Sequence, residues 1–342
     1  MMEKPDTLES LPIAVIGAGP VGLAAAAHLA ERGLPFRLFE AGNSAAANVL
    51  SWGHVRIFSP WQYNIDPAAR RLLSDIGWQE PLVDELPTGS ELFEKYLLPL
   101  SEHPKIQPFI HYRARVLSVS RKNIDRMTNR NREAVPFVVR VQSETISQEH
   151  EFRAVIDASG TWQNPNPILS DGTWTSVETT SSDAITYGIV NVADVPDRYK
   201  NKEVLVIGSG HSAINSILDL ESLKQQFPET EIHWVMRKDT LSEVYGGGES
   251  DALEARGALG TKIKSLIDTD RVSVYTPFRI QEVRRENGKF TLIGSQFDQL
   301  RSLAGIDEII VNSGARPDFS FLRELRVEFD STVESVPALA NF

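Results

Sequence analysis

One sharp turn is written twice in this chain. The stretch "VIGAGPVG" occupies residues 15–22, and "VIGSGHSA" occupies residues 206–213. In each, a short apolar run stops at two glycines spaced two residues apart, a third small residue, glycine or alanine, follows five residues after the first, and a helix-compatible segment comes next. A chain that repeats such a turn in two distant places is constrained to build the same strand–turn–helix unit twice.

The first unit reads "PIAVIGAGPVGLAAAAHLAERGLPFRLFEAG". A buried-type strand over Ile13 to Ile16 turns through Gly17, Gly19, Pro20 and Gly22 into an Ala-rich helix. A second strand over Phe36 to Phe39 then ends at Glu40. Gly17 permits the tight turn, Gly19 lets the backbone approach a pyrophosphate, and Gly22 lets helix and strand pack closely. Free N–H groups at the helix start attract phosphate. Glu40, about twenty residues on, is placed to accept bonds from ribose hydroxyls.

The second unit, "KEVLVIGSGHSAINSILDLESLKQQFPETEIHWVMRK", puts Gly208, Gly210 and Ala213 in the glycine positions, with His211 and Ser212 opening the helix. After its second strand it reaches Arg237 and Lys238 where the first unit has Glu40. A cation there suits a 2'-phosphate, which a carboxylate would repel. A hydrogen bond to a charged group contributes roughly 1.5–3 kcal/mol, so one Arg contact favours NADPH over NADH by about ten- to a hundredfold.

Two further segments match each other. "RAVIDASGTWQNPNP" and "DEIIVNSGARPDFSFL" are apolar strands that stop at Ser-Gly before a proline-marked loop, so Ser159 and Gly160 answer Ser313 and Gly314. Together the repeats predict an α/β protein of two nested Rossmann-like domains. One dinucleotide domain spans residues 1–165 and 300–342, and another, at residues 166–299, is inserted in it. "TWQNPNP" and the stretch before "NKEVLVIG" are the expected connections.

Composition narrows the chemistry. The 342 residues contain no cysteine, which removes disulfides, thiolate metal ligands and any relay through a cysteine pair. A formal net charge of −11 argues against a nucleic-acid or anionic-membrane partner and for a small molecule. The basic stretch "HYRARVLSVSRKNIDRMTNRNRE" reads as a solvated hairpin. The seven histidines show no metal-ligand spacing, and "GSGHSA" fails the nucleophile-elbow pattern at Ile214. No basic n-region precedes the first apolar run, so a cytoplasmic location is expected.

These residues resemble the two-dinucleotide-binding flavoproteins, the superfamily of flavin-containing monooxygenases, Baeyer–Villiger monooxygenases and thioredoxin reductases. The resemblance implies FAD on Gly17, Gly19, Pro20, Gly22 and Glu40, and NADPH on Gly208, Gly210, His211, Ser212, Ala213, Arg237 and Lys238. It adds Ser159, Gly160 and Gly314 at the strand returns, and Val116, in "RARVLSV", on a strand whose backbone meets the adenine. Without cysteine the thioredoxin-reductase-like branch is excluded. The implied chemistry is hydride transfer from NADPH to flavin, reaction with oxygen to a peroxide adduct, and oxygenation of a soft sulfur, nitrogen, arsenic or carbonyl centre.

"SWGHVRIFSPWQYNIDPAARRLL", "YGGG" with "DALEARGALG", and "SGARPDFSFL" further resemble a bacterial and fungal group of monooxygenase-like flavoproteins. Trp52, His54, Arg56, Trp61 and Tyr63 either cover the flavin, with Arg56 opposite negative charge on the reduced ring, or, as aromatic residues in a short stretch commonly do, belong to the core. The Gly-rich stretch at residues 244–251 closes on NADPH or simply turns the chain.

The monooxygenase histidine signature is broken: Gly188 is present, but Val192 stands where the histidine belongs. Relatives also continue past "VESVPALANF" into a segment that closes over FAD, so a truncated flavin site is expected. Alternatives to a monooxygenase are an NADPH-dependent flavin reductase or oxidase, and a non-catalytic redox sensor. A homodimer is compatible with the sequence.

Overall fold

The computed structural model describes residues 8–143, 146–245 and 254–339. The chain divides into two compact units, Met1–Gln163 with Arg316–Phe342, and Asn164–Ala315.

In the first unit, strands β1 (Ile13–Ile16), β2 (Phe36–Phe39), β3 (Ile110–His111), β4 (Ala114–Arg121), β5 (Phe137–Ser143), β6 (Ile146–Phe152) and β7 (Ala154–Asp157) form two sheets. The parallel sheet runs β3-β2-β1-β7 and the antiparallel one β4-β5-β6. All four residues of β1 are buried, because a central parallel strand is covered on both faces. On one face, helix Pro20–Glu31 packs Leu23, Ala26 and Ala27 against Val15 and Leu38. Its alanines have little side chain to hold the helix off the sheet. On the other face, Ala14, Ile16 and Phe39 meet Val119, Val139 and Phe152 of the three-stranded sheet.

The Arg-rich stretch is more than a solvated hairpin. It contains β4, and its second half leads on toward β5; there Arg132 donates to the Glu324 carbonyl at 3.2 Å and Arg326 donates to the Arg126 carbonyl at 2.7 Å. These arginines fasten the loop to the returning C-terminal segment.

The second unit holds β8 (Ile185–Tyr187), β9 (Glu203–Ile207), β10 (Glu231–Val235), β11 (Ser273–Tyr275), β12 (Arg279–Glu286), β13 (Lys289–Gln296), β14 (Gln299–Ile306) and β15 (Glu308–Val311). The parallel sheet has the order β11-β10-β9-β15-β8. Helix His211–Gln226 buries Ala213, Ile214 and Ile217 against Val204, Val206, Trp234 and Ile310. The antiparallel β12-β13-β14 sheet covers the opposite face with Phe290 and Leu292.

Residues 300–315 therefore belong with the second unit and not with the first. The physical reason is strand pairing: β14 pairs along β13, and β15 lies between β9 and β8. The stretch before Asn201 also lies inside the second unit, whereas the break after Gln163 falls within "TWQNPNP".

Burial carries one titration with it. His103 is 3% exposed, and its Nδ1 accepts the Lys105 N–H at 3.2 Å, an acceptor role that only the neutral ring can play. Loss of solvation holds its pKa below 6.5. Below that pH the unfolded chain takes up the proton first, so the contribution of His103 is complete above about pH 6.5 and is lost as the pH falls. Urea midpoints should drop between pH 7.5 and 5.5 with a slope of at most about 1.4 kcal/mol per pH unit from this group. The slope should be shallower in His103→Asn, and an unchanged slope would remove His103 as its source.

Candidate functional site

The first glycine turn is shaped by two close approaches. Gly17 has φ +96°, and a Cβ on it would lie 2.5 Å from the Ala158 carbonyl oxygen. A Cβ on Gly22 would lie 1.8 Å from the Gly17 oxygen. A Cβ on Gly19, by contrast, would meet nothing within 4 Å. Gly19 is the N-cap of helix Pro20–Glu31 and no side chain caps that end, so its first-turn donors face open space.

Glu40 braces the turn directly. Its Oε2 accepts the Ala18 N–H and its Oε1 accepts the Gly42 N–H, both at 2.7 Å. Each oxygen keeps lone-pair capacity for a ribose hydroxyl. Ala114 donates to the Glu40 carbonyl at 2.8 Å, which starts β4 beside Glu40 and puts half-buried Val116 two residues along. Ser159 and Gly160 follow β7, and the Ser159 N–H is held by Asp157 Oδ1 at 3.0 Å.

The expected flavin cover separates into unlike residues. Ala46 donates to the Ala18 carbonyl at 2.9 Å, which brings the segment leading to Trp52 to the first turn. Trp52 is half-buried against Gly89, where an added Cβ would be 2.8 Å from its ring. The Arg56 guanidinium donates to the Leu86 carbonyl and lies 3.8 Å from Glu91. Trp61 is only 1% exposed and belongs to the core with Leu72 and Leu73, so it is no cover residue. His54 is half-buried and Tyr63 is exposed.

The second turn repeats the first with altered parts. Gly208 has φ +133°, and a Cβ on it would lie 2.3 Å from the Asn312 carbonyl oxygen. Gly210 again opens onto free space and is the N-cap of helix His211–Gln226, with no side-chain cap. His211 and Ser212 are half-buried in the first turn, and Ala213 is fully buried. Gly314 follows β15, and its carbonyl accepts the Asn166 N–H at 3.0 Å.

Strand register corrects the position of the cations. Ile16 pairs with Phe39 and Ile207 with Val235, so the residue answering Glu40 is Met236, which is 1% exposed. Arg237 stands one residue further on, exposed, donating to the Ser170 carbonyl at 3.3 Å. Lys238 is half-buried, with its carbonyl accepting the Thr276 hydroxyl. Sequence reasoning missed Trp234, whose indole N–H donates to the Gly208 carbonyl at 2.6 Å. A tryptophan in the buried half of the strand that follows the second turn was the available signal.

A cavity of about 960 Å³ lies in the first unit, lined by Phe137, Val155, Asp157, Phe319, Leu322 and Phe329 among others. The Phe319 and Phe329 rings stack there at 4.0 Å. Among the described residues no cluster of His, Asp or Glu could hold a metal ion, and no helix is long and apolar enough to cross a membrane. Most of the expected Gly-rich closing loop, residues 246–251, lies outside the described residues.

A family model described as pyridine nucleotide-disulphide oxidoreductase matches residues 14–341. The chain belongs to this family. It is thus a member of a family of flavin-dependent pyridine-nucleotide oxidoreductases, without the cysteines on which disulfide chemistry depends. No curated protein sequence matches it significantly.

Solved structures share its fold of two Rossmann-type domains at low identity. A bacillithiol disulfide reductase from Bacillus cereus is 16% identical with a TM-score of 0.69, covering 94% of this chain and 83% of that one. The FAD-bound cadaverine monooxygenase of desferrioxamine biosynthesis from Erwinia amylovora is 14% identical with a TM-score of 0.68, covering 96% and 84%. An ornithine N-hydroxylase from Kutzneria sp. 744, with reduced FAD, NADP+ and L-ornithine, is 13% identical with a TM-score of 0.63, covering 94% and 86%.

The two kinds of glycine separate in a melting experiment. Gly22→Ala forces a methyl into the Gly17 carbonyl and should destabilise the fold by at least about 2–3 kcal/mol. Gly19→Ala should leave stability within about 0.5 kcal/mol. Equal effects on thermal midpoints would contradict the packing described.

Proposed function

We propose that the protein is an FAD-dependent, NADPH-using monooxygenase acting on a small soft nucleophile or carbonyl. The observation that carries this reading is the pairing of two open, uncapped glycine turns with a chain that has no cysteine. Two dinucleotides have places to bind, and no thiol is available to pass electrons onward.

The residues fit the cofactors. Glu40 is held by two backbone N–H groups with lone pairs to spare for the ribose of FAD. The uncapped N–H groups behind Gly19 suit its pyrophosphate. In the second unit Met236 removes the carboxylate that would repel a 2'-phosphate, and Arg237 follows it at the surface. Bound FAD supplies hydride acceptance from NADPH and electron delivery to oxygen.

The protein's own share is to hold both phosphates, orient the rings and keep water from the reacting atoms. The substrate partner is a small molecule together with oxygen, and nucleic acid and membrane are not partners in this reading. The fold is shared by disulfide reductases and N-hydroxylating monooxygenases, and the lack of cysteine favours the second group's chemistry.

The test is an anaerobic titration of the purified protein, followed at the flavin band. A yellow protein should be bleached by NADPH at concentrations about ten- to a hundredfold lower than NADH requires, and Arg237→Ser should shrink that ratio. On admitting oxygen with amine, sulfide and arsenical candidates, substrate-coupled NADPH use is expected. Full recovery of the electrons as hydrogen peroxide with every candidate would indicate an oxidase. A colourless protein that takes up no added FAD would refute the enzyme reading.

A further inference from the structure

The two turns are braced from opposite ends of the same peptide group. In the first, the peptide joining Gly17 and Ala18 is held through its N–H, which Glu40 accepts at 2.7 Å. In the second, the peptide joining Gly208 and Ser209 is held through its carbonyl, to which Trp234 donates at 2.6 Å. The register that aligns Ile16–Phe39 with Ile207–Val235 makes Leu38 the counterpart of Trp234. Leu38 has no donor to offer.

The exchange has a steric cause. A Cβ at Gly22 would sit 1.8 Å from the Gly17 oxygen, yet the matching residue of the second unit is Ala213, which carries that methyl. The Gly208 carbonyl therefore takes a different direction from that of Gly17, in keeping with φ of +133° against +96°. Trp234, fully buried, receives it. In a planar trans peptide the N–H points opposite to the C=O, so a carbonyl pinned into the core turns the Ser209 N–H away from it. Met236 stands where Glu40 would have taken that hydrogen, and no acceptor for it is found among the described residues.

We infer that Trp234 is a positioning residue for the second dinucleotide: by holding the Gly208 carbonyl clear of the Ala213 methyl, it directs the Ser209 N–H toward the phosphates of NADPH. The inference rests on the proposed NADPH site and adds a role for a buried residue that touches no ligand.

The test is a two-residue cycle on the FAD-loaded protein, reading NADP+ affinity by calorimetry, flavin content and thermal midpoint. Trp234→Phe should weaken NADP+ binding about five- to tenfold, leaving flavin content and the reduction rate at saturating NADPH near wild type. Ala213→Gly alone, with Trp234 still holding the Gly208 carbonyl, supplies the second single effect of the cycle. Added to Trp234→Phe, it lets the carbonyl pack as Gly17's does, which turns the Ser209 N–H toward Met236, and the loss should exceed the sum of the two single effects.

If Trp234→Phe does not fold, benzothienylalanine at position 234 keeps the fused ring and lacks only the N–H, and should give the same weakening. Unchanged affinity in either replacement would overturn the inference. So would additive losses in the double variant, which make Trp234 a packing residue only. Wild-type protein that binds no NADP+ at all would instead overturn the NADPH site, a result visible before any variant is compared.

Discussion

Everything placed at the two candidate sites depends on one contact made twice: the backbone of a strand end pressed against the first glycine of a turn. In the first unit this is Ala158 against Gly17, and in the second Asn312 against Gly208. Neither approach leaves room for a Cβ. Each brings the end of a parallel strand, the start of a helix and a row of uncapped N–H groups to one edge of a sheet. That convergence is what an anionic dinucleotide requires, since aligned helix donors and their dipole favour negative charge there.

Around this shared frame the two units diverge in electrostatics. The first is closed by a carboxylate whose two oxygens tie the turn to the loop after β2. The second is closed by an indole, with an apolar methionine in the place of the carboxylate and cations just beyond it. One position along the sheet thus carries opposite electrostatics in the two units, a carboxylate in the first and a buried apolar side chain in the second. The absence of cysteine then limits what two bound redox cofactors can do, because no thiol can relay their electrons within this chain.

The expectations that missed share a cause. The linear repeat places residues 300–315 with the first domain, but sheet membership is set by hydrogen bonds between strands distant in sequence, and β15 pairs with β8 and β9. The aromatic density around Trp61 suits a cofactor cover as well as a core, because it carries no information about depth; packing puts Trp61 in the core. In the linear sequence Arg237 follows its strand much as Glu40 follows the first, but the strand ladder matches Glu40 with Met236.

By itself, the sequence determined the two strand–turn–helix units, their glycines, Glu40 and the lack of thiol chemistry. These are local: a glycine spacing, an apolar run and a residue count suffice, since the backbone constraints act within a few residues. Only the tertiary structure decided that Trp234 receives the Gly208 carbonyl and that Glu40 spends its oxygens on Ala18 and Gly42. Those are contacts between separate elements, and their existence depends on strand register and helix approach, quantities no single stretch of sequence contains.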